Sequence, residues 1–163
     1  MMFVPTARRS LLVSAALLAV AVAPRAQAAN MSYEAAVSDA LTVAAQRADL
    51  SVMRVAGQSM LPYFSDDAVI VVKKIDAARL RVGMIAVYVN RFGEKVAHRV
   101  IAPREGGWQV KGYNNDAADS TVVNSSNLLG IVYATFHSAG RAAVTVASAS
   151  HPAVETVYAA PAK

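Results

Sequence analysis

The spacing of apolar residues along the chain changes near residue 50. Between Ser32 and Leu50 the apolar residues recur every three or four positions, which is typical of one face of a helix. Ser32 can cap the start of this helix, and Glu34 lies in its first turn. From Val52 onward the apolar residues instead form short β-branched runs, which indicate strands. The pattern therefore predicts one short helix followed by a region of β structure.

The β region contains five runs that predict strands: Val69–Val72, Ile85–Val89, Val96–Ile101, Trp108–Val110 and Leu128–Phe136. Turn signals such as Asn90–Gly93 and Glu105–Gly107 separate them. Many short strands joined by glycine-containing turns favour a compact, curved sheet. The predicted fold class is mainly β: a coiled antiparallel sheet or partly open barrel, preceded by one short helix.

The first 28 residues have the three parts of a secretory signal. Arg8-Arg9 form a basic start, Leu11–Ala23 an apolar core, and Ala26–Ala28 a small-x-small cleavage site. The apolar core is shorter than the roughly 20 residues that a membrane-spanning helix needs. We therefore expect export to the periplasm or the extracellular space, with no stable membrane anchor after cleavage. The paired arginines also resemble a twin-arginine signal, but the general export route is the preferred interpretation.

Composition divides the chain into four segments. Residues 1–28 are the expected export signal, 29–50 the N-terminal helix and 51–136 the β domain. Residues 137–163 are rich in alanine, serine, valine and proline, which predicts a flexible tail. A chain of 163 residues has room for one domain of ordinary size.

The charge and the cysteine count exclude several classes of function. The formal net charge is +5, but without Arg8, Arg9 and Arg25 of the signal thirteen basic residues face eleven acidic ones, about +2. The basic residues are scattered and have no interleaved aromatic residues, so we expect no nucleic-acid partner. The chain has no cysteine, which excludes a disulfide framework, a thiol nucleophile and a zinc–thiolate site.

Three short segments carry residue types that suggest chemistry. Gly57–Pro62 has a serine in a predicted tight turn, and Val96–Ile101 has a histidine in a strand-like run. Lys111–Asp119 is a polar loop that ends in a carboxylate. A serine hydrolase needs these three residue types as nucleophile, base and orienting acid.

His98 shares a predicted strand face with Val96 and Val100, whereas Lys95 points the opposite way. A histidine between two valines is expected to face inward, where its polar ring needs a hydrogen-bond partner. Two interpretations remain open. His98 is either a core histidine bonded to a backbone carbonyl, or a base whose second nitrogen is held by a carboxylate.

The order of these segments resembles the signal peptidase I superfamily, which includes the self-cleaving repressors of the SOS response. Gly57–Pro62 resembles its nucleophile box. Val96–Ile101 resembles the His-Arg-Val-Ile segment of the archaeal and endoplasmic-reticulum-type branch, in which a histidine replaces a lysine as the base. Lys111–Asp119 resembles that branch's Lys-Gly-Asp-Asn-Asn…Asp box, and Leu128–Val132 resembles its closing strand. The resemblance covers roughly Val52–Phe136.

The resemblance implies a role for each matching residue. It implies Ser59 as nucleophile, His98 as general base and Asp119 as orienting acid, with Asp116 as the alternative acid. The expected oxyanion turn contains Gly57, Ser59 and Met60. Candidates for an apolar substrate groove are Leu61, Val69, Ile70 and Val71, although ordinary core is the alternative for the last three.

The chain departs from the superfamily pattern at three positions. Tyr113 stands where an aspartate is usual, and Asp66 stands where a glycine is usual. Gly57 stands where many relatives have a serine whose hydroxyl helps to hold the oxyanion. We therefore expect the oxyanion hole to depend on backbone N–H groups such as that of Ser59.

These observations predict an exported serine endopeptidase that cleaves extended segments of peptide or exported protein substrates through an acyl-enzyme. Neither a cofactor nor a metal is expected, because His137 and His151 have no ligand spacing to His98. A serine–lysine dyad is the mechanistic alternative. A non-catalytic envelope module that binds peptides or partner proteins is the alternative of another class. Self-cleavage near Ala147–Ala149 is a third possibility.

Overall fold

The computed structural model describes residues 31–64, 66–138 and 155–159. Its elements are α1 (Tyr33–Ala44), β1 (Leu50–Gly57), β2 (Val69–Lys73), β3 (Ile85–Val89), β4 (Lys95–Arg104), β5 (Gly107–Lys111), β6 (Leu128–Phe136) and β7 (Glu155–Ala159), with a single 3-10 turn at Ala77–Arg79 between β2 and β3. The predicted export signal and the Ala147–Ala149 segment lie outside the described residues. The mainly β fold with one preceding helix is confirmed.

The helix α1 forms where the apolar spacing predicts it. The Ser32 side chain caps its start by accepting a hydrogen bond from the Ala35 N–H at 3.2 Å. The buried face of the helix, Ala36, Val37 and Ala40, packs on Val69 and Val71 of β2. Burial of this stripe on the sheet fixes the position of a helix that is too short to be stable alone in water.

The strands pair in the order β3-β6-β2-β1-β7-β4-β5, and β3 also pairs with β4. The strands from β3 to β4 therefore form a ring, and β5 extends from it. The weakest seam in the ring is between β7 and β4, where a single register pair joins Val96 to Tyr158. This topology is a curled, partly open barrel.

Two strands were not among the predicted runs. β1, Leu50–Gly57, mixes apolar and polar residues and leads into the turn that holds Ser59. β7, Glu155–Ala159, lies in the segment predicted to be a flexible tail, so that prediction is wrong for these five residues. β7 pairs parallel to β1 and to β4, whereas every other named pairing is antiparallel. Parallel partners far apart in the chain leave no turn signature in the sequence.

Besides the cluster between α1 and β2, the core has two further parts, one inside the ring of strands and one on its outer face. Inside the ring, side chains of β1, β2, β3, β4 and β7 meet; they include Met53, Val55, Ile70, Val72, Val87, Ala97 and Val157. On the outer face of β3 and β4 a second cluster contains Tyr88, Val96, Val100 and Val110. β4 thus has both faces buried, and the alternation of its side chains decides which residue meets which cluster.

Candidate active site

Three side chains distant in sequence form a continuous hydrogen-bonded chain. The Ser59 Oγ lies 2.7 Å from His98 Nε2, and His98 Nδ1 lies 2.7 Å from Asp119 Oδ2. All three residues are buried: their exposed fractions are 4%, 1% and 9%. The geometry allows the imidazole to take the serine proton at one nitrogen while the carboxylate holds the other.

The turn after β1 presents Ser59 at a strand end. Gly57 has φ of 102°, a conformation that favours glycine, and this residue redirects the chain out of the strand. The Gly57 N–H donates to Asp66 Oδ1 at 2.6 Å, so the unusual aspartate of the following loop ties this turn in place. The Met60 side chain is fully buried in the core inside the ring and anchors the chain directly after Ser59.

Strand pairing holds the His98 ring in position. His98 lies opposite Ala86 of β3, a small residue. Its neighbours on the same face, Val96 and Val100, are buried in the cluster on the outer face. His98 therefore shares one face of β4 with Val96 and Val100, as predicted. It also has a carboxylate partner, as the base interpretation requires.

A buried tyrosine completes the surroundings of Asp119. The Asp119 backbone N–H donates to the Val110 carbonyl at 2.9 Å, which docks the loop on β5. Asp119 Oδ2 accepts from His98 Nδ1 and from the Tyr88 hydroxyl. Burial, and then the negative charge and hydrogen bond of Asp119, raise the pKa of Tyr88 well above its ordinary value of 10.0. The hydroxyl therefore stays a donor to the carboxylate.

The loop that carries Asp119 is also hydrogen-bonded to the turn that holds Ser59. The Asn114 N–H donates to the Ser59 carbonyl at 2.7 Å, and the Asn114 side chain donates to the Gln58 carbonyl at 3.3 Å. Gly112 packs so closely here that an added Cβ would lie 2.8 Å from the Ser59 carbonyl oxygen. The two loops therefore form one unit, which fixes the distance from Ser59 to Asp119.

An aromatic and cationic stack lies beside the two loops. The Tyr63 and Tyr113 ring centroids are 4.1 Å apart, and the Arg99 guanidinium lies 4.4 Å from the Tyr113 ring centroid. Tyr113, the departure from the usual aspartate, thus packs between two side chains where an acid would not stack. Tyr63 is 50% exposed and Leu61, the groove candidate in the same turn, is 38% exposed, so both present apolar surface near Ser59.

Several predicted alternatives do not reach the site. Asp116 is exposed, and its backbone carbonyl accepts from Lys111 Nζ at 3.0 Å, so the alternative acid is not supported. Lys95 forms an ion pair with Glu155. Among the described residues the partner of the Ser59 hydroxyl is His98, so the serine–lysine dyad finds no support in the geometry.

The substrate-groove prediction is wrong for Val69, Ile70 and Val71. All three are fully buried, and β2 is an interior strand paired with β1 and β6. The helix α1 covers Val69 and Val71, and Ile70 points inside the ring. Their β-branched side chains are core, which an apolar run alone does not distinguish from a groove lining.

Sequence reasoning missed Tyr88 and the positive role of Asp66. Tyr88 sits in an apolar strand run, and a tyrosine that is fully buried needs a partner for its hydroxyl. That rule could have indicated a polar partner but not its identity. In the described parts of the chain no group of three or more histidines, aspartates or glutamates could hold a metal ion, and no helix is long and apolar enough to cross a membrane.

Comparison with known families agrees with this fold. The Peptidase S24-like family model matches residues 14–133, which is more than half of the chain. The chain therefore belongs to the Peptidase S24-like family, within the superfamily of signal peptidases and SOS-response repressors that the sequence resembles. No curated protein and no solved structure gives a significant match.

Proposed function

We propose that this protein is a serine endopeptidase of the histidine-base type. The observation that carries the proposal is the unbroken hydrogen-bonded chain from Ser59 through His98 to Asp119, with both heavy-atom distances at 2.7 Å. Membership of a peptidase family supports the reaction class. A purely structural histidine needs one partner, whereas His98 joins a hydroxyl on one side and a carboxylate on the other.

The proposed reaction begins with attack of Ser59 Oγ on a peptide carbonyl. His98 Nε2 takes the serine proton and later gives it to the leaving amine, so that an acyl-enzyme forms and the amine departs neutral. Asp119 accepts from the Nδ1–H, which keeps Nε2 free to act as the base and stabilises the imidazolium. Water then hydrolyses the acyl-enzyme by the same proton transfers in reverse.

Backbone amides are the proposed oxyanion donors. Within the described residues the Ser59 N–H donates to no protein acceptor, which leaves it available for a developing oxyanion. Gly57 offers no hydroxyl for this purpose, and its own N–H is occupied by Asp66. The proposed oxyanion hole therefore depends on the backbone of the turn that holds Ser59, and the buried Met60 side chain fixes the conformation of this turn.

The proposed substrates are extended segments of peptides or exported proteins. The basic start, apolar core and small-x-small site within residues 1–28 support export of the protein itself. Leu61 and Tyr63 add exposed apolar surface beside Ser59, suited to side chains of an extended substrate. The histidine-type branch of the superfamily remains part of this proposal and rests on His98.

A serine-directed fluorophosphonate probe tests the proposal without knowledge of the substrate. We expect the purified protein to be labelled at Ser59, with labelling lost in Ser59→Ala and strongly reduced in His98→Ala. Ser51→Ala is the matched control, because Ser51 is an exposed serine on the same strand β1 and should leave the rate unchanged. Absence of labelling at Ser59 in the folded protein would instead favour the non-catalytic peptide-binding module.

A further inference from the structure

The strand β7 occupies a position in the ring that an extended peptide could also occupy. It lies between β1 and β4 and runs parallel to both. Along β1 it forms five register pairs, from Met53 opposite Glu155 to Gly57 opposite Ala159. Its backbone thereby satisfies the open hydrogen-bonding edge of β1, as an added peptide strand does in recognition by β-augmentation.

The carboxyl end of β7 is directed at the candidate catalytic pair. Ala159 is level with Gly57, the last residue of β1, and Ser59 follows Gly57 by two residues. On the other side Tyr158 is level with Val96, which precedes His98 by two residues on β4. Nucleophile and base thus both follow directly beyond the end of β7. A strand in this position and direction corresponds to the acyl side of a peptide whose scissile carbonyl reaches Ser59.

We call the position of β7 between β1 and β4 the slot. Two described side chains hold β7 in it. Val157 is fully buried inside the ring, in the same cluster as Val55 and Met60. Glu155, at the start of the strand, forms an ion pair with Lys95 of β4. Thr156 lies between them and is only partly buried. The slot thus accepts a β-branched apolar side chain two residues before the end of the strand and a negative charge four residues before it.

We infer that Glu155–Ala159 is an inhibitory strand that competes in cis with the substrate for the slot between β1 and β4. This inference rests on the proposed function, since it presumes that Ser59 and His98 act on a peptide in that slot. The competing substrate is an extended segment that runs parallel to β1 and places a small β-branched side chain in the Val157 site. Peptide hydrolysis requires β7 to leave, so the measured affinity is reduced by the fraction of molecules with an open slot.

The decisive perturbation is Val157→Asp, with Thr156→Asp as its matched control. The first puts a carboxylate into the apolar interior, where it has no partner and drives the strand out; the second puts the same charge on the partly buried side of the same strand. We expect Val157→Asp to raise the rate of Ser59 labelling by at least about tenfold, in line with a shift in the population of the open slot. Thr156→Asp should stay near the wild-type rate.

A charge exchange provides a second pair of variants that keeps the apolar core intact. Glu155→Lys places two lysines against each other and should raise the labelling rate by a few-fold. Adding Lys95→Glu to that variant restores an opposite pair and should return the rate to the wild-type value. This pair decides the question if Val157→Asp fails to fold.

A peptide of the sequence Glu-Thr-Val-Tyr-Ala, labelled with a fluorophore, separates this inference from the proposed function. In fluorescence anisotropy we expect it to bind Val157→Asp that also carries Ser59→Ala, and to bind the Ser59→Ala protein at least about tenfold more weakly because β7 fills the slot. Unlabelled peptide should slow Ser59 labelling of Val157→Asp competitively. Selective peptide binding without any Ser59 labelling would sink the peptidase and leave the slot assignment intact.

The inference is overturned if folded Val157→Asp and Glu155→Lys are both labelled at the wild-type rate and bind no peptide. It is also overturned if the intact mass of the wild-type protein falls through Ser59-dependent loss of the residues after Ala159, because β7 would then be a substrate. In the first outcome Ser59 labelling at the wild-type rate would still support the proposed function.

Discussion

The change of Asp119 to asparagine tests the chemistry at one atom. Asp119 Oδ2 accepts from both His98 Nδ1 and the Tyr88 hydroxyl, while Oδ1 is buried with no partner among the described residues. An asparagine can keep its carbonyl oxygen at the Oδ2 position. Its NH2 group then occupies the Oδ1 position, where it has no acceptor, at a cost of about 1–3 kcal/mol of stability.

The opposite orientation of the new amide is worse for catalysis. The NH2 group would face two donors, and His98 would have to carry its proton on Nε2 to turn Nδ1 into an acceptor. In that tautomer Nε2 cannot take the proton of Ser59. In both orientations the negative charge that stabilises the imidazolium is lost. Loss of the orienting acid in a serine protease costs about 10⁴-fold in rate, or about 5.5 kcal/mol of transition-state stabilisation.

The assay is the second-order rate at which the fluorophosphonate phosphonylates Ser59 with loss of fluoride, measured by intact mass. Asp116→Asn is the matched control: it removes the same charge from the same loop, and Asp116 is exposed. We expect it to stay within about twofold of wild type, as surface substitutions usually do. A folded Asp119→Asn protein that is labelled at a rate within about tenfold of wild type would refute the assignment of Asp119 as the orienting acid.

Three further predictions concern the surroundings of the site. Tyr88→Phe keeps the buried ring but removes the donor to Asp119, so urea unfolding should show that the free energy of unfolding falls by about 1.5–3 kcal/mol. Labelling of Ser59 should slow by roughly tenfold, about 1.4 kcal/mol. Because the folded-state pKa of Tyr88 is raised, the unfolded chain releases this proton first. The stability that Tyr88 confers is therefore present below pH 10 and is lost above it, with a slope that approaches about 1.4 kcal/mol per pH unit as the pH rises, and Tyr88→Phe should lack this contribution to the slope between pH 10 and 11. An equal alkaline slope in both proteins would contradict the burial argument. Gly112→Ala adds a Cβ at 2.8 Å from the Ser59 carbonyl oxygen, so it should slow labelling of Ser59 by more than tenfold. The same change at Gly106, which has open space around it, should affect stability alone. Equal labelling rates for these two variants would show that the contact with Ser59 is unimportant.

Local pattern was sufficient for most of the secondary structure. The helix face of Ala36, Val37 and Ala40, the cap at Ser32 and the bounds of Ile85–Val89 follow from residue spacing and propensity. The fold class follows from the number of short runs and the turns between them. The face of β4 that His98 shares with Val96 and Val100 follows from strand parity, because alternate side chains of a strand must point to opposite faces.

The motifs singled out Ser59, His98 and Asp119, which the structure brings together, but they did not reveal the contacts between them. Which aspartate meets His98 depends on how the loop docks on Val110 and on the Ser59 turn, and the bond from Asn114 to the Ser59 carbonyl joins segments far apart in the chain. The same limit applies to Tyr88, whose partner lies 31 residues further along the chain. Hydrogen bonds between distant segments have no local periodicity, so spacing cannot reveal them.

Tertiary structure alone decided which apolar runs are core and which strand fills the ring. Val69 and Val71 are buried because α1 covers their face of β2, and Ile70 is buried because it points inside the ring. The sequence of this run does not encode either contact. β7 looks like the rest of an alanine- and valine-rich tail, yet Glu155–Ala159 pairs with β1 and β4. An open strand edge gains stability from any extended segment that reaches it, and only the closed arrangement of the other strands determines where that edge lies.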